Sequence, residues 1–204
     1  MEIRNADKNQ LVVQGKIERF YVVAENVVVT LLVKTGDKNC YPEILFNGRE
    51  KKSWVEKFSV GDKVRITATV SSYKRKKGEK TIDCECYKAT SIEFAKNPLD
   101  GKDAKTDDFV ENFSVFQISG EVKSLYANGE FLSIMVLNCP GEEERNFVKL
   151  KYHANEEIIR GLFYDLKDQY IIAEGKIKTY KKRIENGTKE IHRVDNWVNK
   201  LTIV

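Results

Sequence analysis

The sequence predicts an all-β protein in which one five-stranded unit is built twice. Strand signals dominate the chain: β-branched and aromatic clusters alternate with polar breaks, and only two short amphipathic helices interrupt them. Each half runs in the order strand, strand, strand, helix, strand, strand. A third observation joins the halves. The strand Val64–Tyr73 ends in a tyrosine followed by Lys74, Arg75, Lys76 and Lys77; about 105 residues later, Ile171–Tyr180 ends in a tyrosine followed by Lys181, Lys182 and Arg183. Chance poorly explains two copies of one arrangement.

In the first half, Val12, Val13 and Ile17 mark strand one, Val27–Val33 strand two and Ile44–Phe46 strand three. In Arg49–Phe58, Trp54, Val55 and Phe58 fall at helical spacing, which predicts a short amphipathic helix with Trp54 turned to the core. Val60, Gly61 and Asp62 turn into strand four, Val64–Tyr73. Beyond the lysine-rich hairpin, Thr81–Tyr87 returns as strand five, continued by Ala89–Phe94. The second half repeats this with strands Ile118–Val122, Phe131–Leu137 and Asn146–Tyr152. A helix follows at Glu156–Phe163, then strand Tyr170–Tyr180 and closing strands between Glu190 and Val204. A helix between strands three and four is the order of the OB-fold, a five-stranded Greek-key barrel. The expected architecture is two tandem OB-folds.

With 204 residues the chain has room for both, at 1–95 and 113–204. Residues 96–112 are polar, contain Pro98 and Gly101, show no hydrophobic period, and read as a flexible linker. The net charge of +4 is small but unevenly spread. Residues 1–95 carry 18 basic and 13 acidic side chains, 96–112 carry 3 and 5, and 113–204 carry 14 and 13. The first half is therefore expected to contribute most of the long-range attraction to a polyanion.

Several classes are set aside. The polar N-terminal residues do not resemble a signal peptide, and no apolar run reaches membrane-spanning length, so a cytoplasmic protein without membrane contact is expected. Cys40, Cys84, Cys86 and Cys139 lack a disulfide or zinc spacing, and His153 and His192 are far apart. Alternation places Cys84 and Cys86 on one face with Ile82, as a buried pair. No phosphate loop, dinucleotide fingerprint or nucleophile elbow appears, so neither an enzyme nor a cofactor is expected.

Ile44–Gly48, the helix after it, the turn Val60–Val64 and the tyrosine-plus-basic hairpin resemble strand three, helix, turn and strand four of the bacterial single-stranded-DNA-binding protein family. Ala173–Tyr180 is the stretch most like it. The resemblance covers the layout of most of each half. It implies sequence-independent binding of single-stranded DNA, and a task in replication, recombination or repair in a bacterium or its viruses. Proteins of those processes would then be partners. Family members usually carry one such domain and a glycine-rich tail with an acidic tip. Here there are two domains and Leu201–Val204 reads as strand, so tail-mediated recruitment is not implied. The tandem layout resembles OB arrays of eukaryotic and viral single-strand binders in architecture. It admits a homodimer presenting four barrels or a chain working alone.

Strand alternation sorts binding candidates from core. Val64, Ile66, Ala68 and Val70 face inward; Arg65, Thr67, Thr69, Ser71 and Tyr73 face outward. Ile171, Ala173, Gly175 and Ile177 face inward, opposite Lys176, Lys178 and Tyr180. Tyr73 and Tyr180 are candidate stacking platforms for bases. Lys74, Arg75, Lys76, Lys77, Lys181, Lys182 and Arg183 are candidate phosphate contacts, since this hairpin borders the nucleic-acid groove of OB-folds. On strand three of the second half, Phe147, Lys149 and Lys151 share one face, a track suited to a single strand; Tyr41 aligns with Phe147. Phe46 and Tyr152 match a base-stacking position of the family, although alternation turns them toward the core. RNA would satisfy the same stacking and charge, and a protein-binding scaffold is a further alternative, given the near-neutral second half.

Overall fold

The computed structural model describes residues 7–35, 38–78, 80–104, 110–141, 145–183 and 190–204. The first half contains β1 (Asn9–Val23), β2 (Asn26–Thr35), β3 (Lys38–Cys40), β4 (Glu43–Phe46), α1 (Arg49–Val55), β5 (Lys63–Lys77) and β6 (Lys80–Phe94). The second contains β7 (Phe113–Asn128), β8 (Phe131–Asn138), β9 (Asn146–His153), α2 (Glu156–Asp165), β10 (Tyr170–Arg183) and β11 (Glu190–Ile203). No helix among the described residues is long and apolar enough to cross a membrane.

In the first half β1 pairs with β2 and β5, β2 with β4, and β5 with β6. A parallel contact of Ile44 with Tyr87 joins β4 to β6 and closes a ring of five strands. The second half closes in the same way through β7, β8, β9, β11 and β10, the parallel contact being Leu150 with Asn196. Closure removes unpaired edges, and the ring interiors hold the apolar side chains. Val64, Ile66, Ala68 and Val70 are buried, as are Ile171, Ala173 and Ile177. From Asn9 in β1 and from Ser114 in β7, burial follows the same order residue for residue, at an offset of 105. Register shifts fall at Ile17/Arg19 and Val122/Ser124, the same offset apart.

Three glycines set how closely strands approach. A Cβ on Gly15 would stand 2.6 Å from the Leu32 carbonyl oxygen, and one on Gly120 would stand 2.3 Å from that of Leu137. At Gly175 it would meet the Trp197 carbonyl oxygen at 2.0 Å and the Phe116 ring at 2.6 Å. Gly175→Ala is expected to cost about 1–3 kcal/mol or more, because backbone and a buried ring both have to move. A thermal melt checks this: an unchanged Tm would mean the strands separate freely there.

The two units meet through β1 and β7, which pair antiparallel with Leu11 opposite Phe116. The 105-residue offset maps Leu11 onto Phe116, so an approximate two-fold axis passes between them, with both side chains fully buried. Asn9 donates to Asn138 Oδ1 (2.7 Å), Asn138 donates to the Lys8 carbonyl (2.9 Å), and Tyr170 OH donates to Asp7 (2.5 Å).

The long hairpins cross over reciprocally. Ser72 Oγ on β5 accepts from Lys149 N on β9 (2.9 Å), and Thr179 Oγ1 on β10 accepts from Tyr41 N (3.0 Å). The segment between the units is fastened at both described ends to the first. Ala104 N donates to the Ala95 carbonyl (2.7 Å), Lys96 pairs with Asp103, Lys63 Nζ donates to the Val110 carbonyl, and Gln14 donates to that of Glu111 (2.6 Å). Ala95, Ala104 and Val110 form a small buried cluster.

Candidate nucleic-acid interface

The crossing of the hairpins builds a groove that neither unit contains alone. It encloses about 330 Å³. Lys74 of β5 forms one wall; Tyr126, Ser133, Met135 and Lys149 of the second unit form the other. Lys74 and Tyr126 are exposed, Tyr126 at 67%. Two cations and an exposed ring lining one groove suit a phosphate chain with a stacked base.

Tyr73, 49% exposed, stands on the opposite face of β5 from Lys74, and Lys76 is also exposed. Phe147 is 49% exposed, and Lys149 beside it is half-buried. Tyr41 is half-buried, its hydroxyl accepting from Asn39 (3.4 Å). Lys176 is half-buried. Lys178 is exposed and holds Nζ 4.0 Å over the Trp197 ring centroid. Partial burial, then the charges of Lys176 and Lys38, lowers the Lys178 pKa; a bound phosphate would oppose those two repulsions. The side chains of Arg75, Lys77, Tyr180, Lys181, Lys182 and Arg183 lie outside the described residues.

One expected contact is corrected, and three others have partners inside the chain. Phe46 is fully buried in the first ring, and Tyr152 is half-buried and packed against the core; both sit inward because strand alternation outweighs the family match. Lys151 is ion-paired with Asp195, whose side chain is only 8% exposed. Arg65 donates to Gln14 Oε1 (3.1 Å) and lies 5.5 Å over the Phe113 ring, so it braces β1 and the start of β7. Cys84 and Cys86 are also misplaced by the expectation. Both are only partly buried, while Tyr87 and Ala89 on the opposite alternation are buried; the inward face of β6 is the one carrying Glu85.

Sequence reasoning missed a tyrosine on each first hairpin. Tyr21 and Tyr126 occupy equivalent places on the β1–β2 and β7–β8 hairpins. Tyr21 donates to Glu43 (3.1 Å) beneath the Arg19 guanidinium, and burial, then Glu43, raises its pKa. The 105-residue offset, applied to the tyrosines, would have found the pair. A ring cluster was missed too. Phe131 lies 4.9 Å from His153 and 6.0 Å from Trp197 between ring centroids, and Phe131 is 45% exposed.

A buried polar cluster locks the units together beside this face. Asn196 of β11 donates to Glu85 Oε2 (3.1 Å) and to the Lys149 carbonyl (3.0 Å), and it accepts from Tyr87 OH (3.1 Å). Ser72 Oγ donates to the same Glu85 oxygen (2.5 Å). Burial pushes the Glu85 carboxyl up to about 7, against the Ser72 hydrogen bond and with the Asp195 charge. Among the described residues no group of His, Cys, Asp and Glu is arranged to hold a metal.

No family model matches the chain, and no curated protein matches it by sequence. Solved structures do. A deletion variant of the single-stranded DNA binding protein from Thermus aquaticus superposes with a TM-score of 0.64 at 10% identity, over 98% of this chain and 95% of that one. The wild-type Thermus aquaticus protein gives 0.62 at 13% identity, over 98% and 94%. At these identities the likeness is one of fold: an all-β chain with the OB barrel.

Proposed function

We propose that this chain, folded like the Thermus aquaticus protein, binds single-stranded DNA with little sequence preference through a tandem pair of OB-folds. The observation that carries this is the groove between the units, where Lys74 faces Tyr126 and Lys149. Bases stack on Tyr73, Tyr126 and Phe147, and on the Phe131–Trp197 cluster beside Lys178. Lys74, Lys76 and Lys149 follow the phosphates. Because both units wall one groove, a strand reaches the second without waiting for a loose linker to bring it. The role is one of binding: covering exposed strands during replication, recombination or repair in the cytoplasm.

The test is a titration of tryptophan fluorescence with oligo(dT) of increasing length. Trp197 sits in the ring cluster and is the expected reporter. Binding is expected to weaken with salt at a log–log slope of roughly −0.7 per phosphate contact for single strands. Salt-independent affinity, or no binding at low ionic strength, would overturn the proposal. Competition by oligo(U) separates DNA from RNA preference, since stacking and charge ignore the 2′-hydroxyl.

A further inference from the structure

A second groove lies beyond the first, between the β7–β8 hairpin and α2. It encloses about 440 Å³ and shares Leu125 and Tyr126 with the groove between the units. Phe163 and Tyr164 close its far side, Tyr164 being 75% exposed, their rings edge to face at 5.9 Å. Arg160 and Glu156 bring the charged groups of the lining. Helix α2 is held firmly for such a role. Asn155 caps it by accepting from Ile158 N (2.9 Å), and Ile159 and Leu166 anchor it in the core. What remains outward is an aromatic shelf that packing within the chain leaves open.

We propose that this groove is a nucleotide subsite into which a strand lying between the units continues around Tyr126. The inference rests on the single-strand reading above. Continuity selects the occupant: Tyr126 lines both grooves, so a chain stacked on it at one end is delivered to the other. The lining then orients the nucleotide. Arg160 meets the phosphate. Glu156 repels it and turns to the Watson–Crick edge of the base, where it accepts from an N–H group. The base lies against Tyr164 and Phe163. A carboxylate at the edge favours guanine, whose edge offers two adjacent N–H donors, so a preference at one position is added to otherwise indifferent binding.

The experiment compares wild type with Tyr164→Ala/Arg160→Glu on an oligo(dT) length series, and on the same long oligomer with single dG replacements. Short oligomers are expected to bind both proteins alike. Long ones are expected to bind the variant roughly fivefold more weakly or worse, as loss of one stacked base and one phosphate contact requires. Photocrosslinking of a long oligomer carrying 5-iododeoxyuridine should label the peptide containing Tyr164. Equal affinities at every length, with no label on that peptide, would overturn the subsite while leaving the single-strand reading intact. Failure of wild type to bind any oligomer at low salt would remove that reading and the subsite with it. Both substituted side chains are exposed, and superimposable melting curves exclude misfolding as the cause.

Discussion

Tyr73→Ala together with Tyr126→Ala is expected to weaken oligo(dT) binding by at least about thirtyfold, with the melting temperature nearly unchanged. The two rings belong to different units and are exposed at 49% and 67%. Removing them forfeits little buried area, so the fold should tolerate the change. Each stacked base contributes roughly 1–3 kcal/mol, so losing two costs about 2–6 kcal/mol of binding. Fluorescence titration and a melt on the same samples decide the matter. If Tm falls while affinity holds, the tyrosines are rim packing. Each single variant should give part of the loss, because each ring stacks a base of its own.

Glu85→Gln is expected to raise stability at pH 8 and to leave it unchanged near pH 4. The Glu85 carboxyl is pushed from 4.5 up to about 7, chiefly by burial at the junction. Below 4.5 it is protonated in folded and unfolded chains alike and favours neither. Between 4.5 and 7 the folded chain keeps a proton that the unfolded chain releases, so stability falls as pH rises, and the full cost is reached above 7. That cost is on the order of 3 kcal/mol. Glutamine keeps an oxygen to accept from Ser72 and Asn196, so the amide preserves the hydrogen bonds and removes the charge. The difference in Tm at pH 8 should be roughly 5–10 °C for a chain of this size. A gain of equal size at both pH values would mean that the buried charge is not its source, and a loss at pH 8 would mean the carboxylate stabilises the junction as an ion.

Much of the fold is legible locally. Apart from the short β3, which the sequence reading lacks, the strands follow the expected order, and Val64, Ile66, Ala68 and Val70 are buried as their alternation requires. The candidate binding residues are legible only in part. Exposed rings at Tyr73 and Phe147 follow from alternation along a strand. The first-hairpin tyrosines carry no basic run to advertise them.

Alternation, turn chemistry and the duplicated pattern by themselves determined an all-β chain of two similar units; the strands run past Tyr73 and Tyr180 to Lys77 and Arg183. Alternation and turn chemistry are properties of a few consecutive residues, and a short window contains them. Tertiary structure decided which face of β6 is inward. Both of its faces mix polar and apolar side chains, and only the docking of β11 and β9 against Glu85 and Tyr87 breaks the tie. It also decided that Lys151 pairs with Asp195, that Arg65 braces Phe113, and that β1 and β7 join the units about a two-fold axis. Each of these depends on which distant surfaces meet, and that is set by the complementarity of whole faces rather than by the period of any one strand.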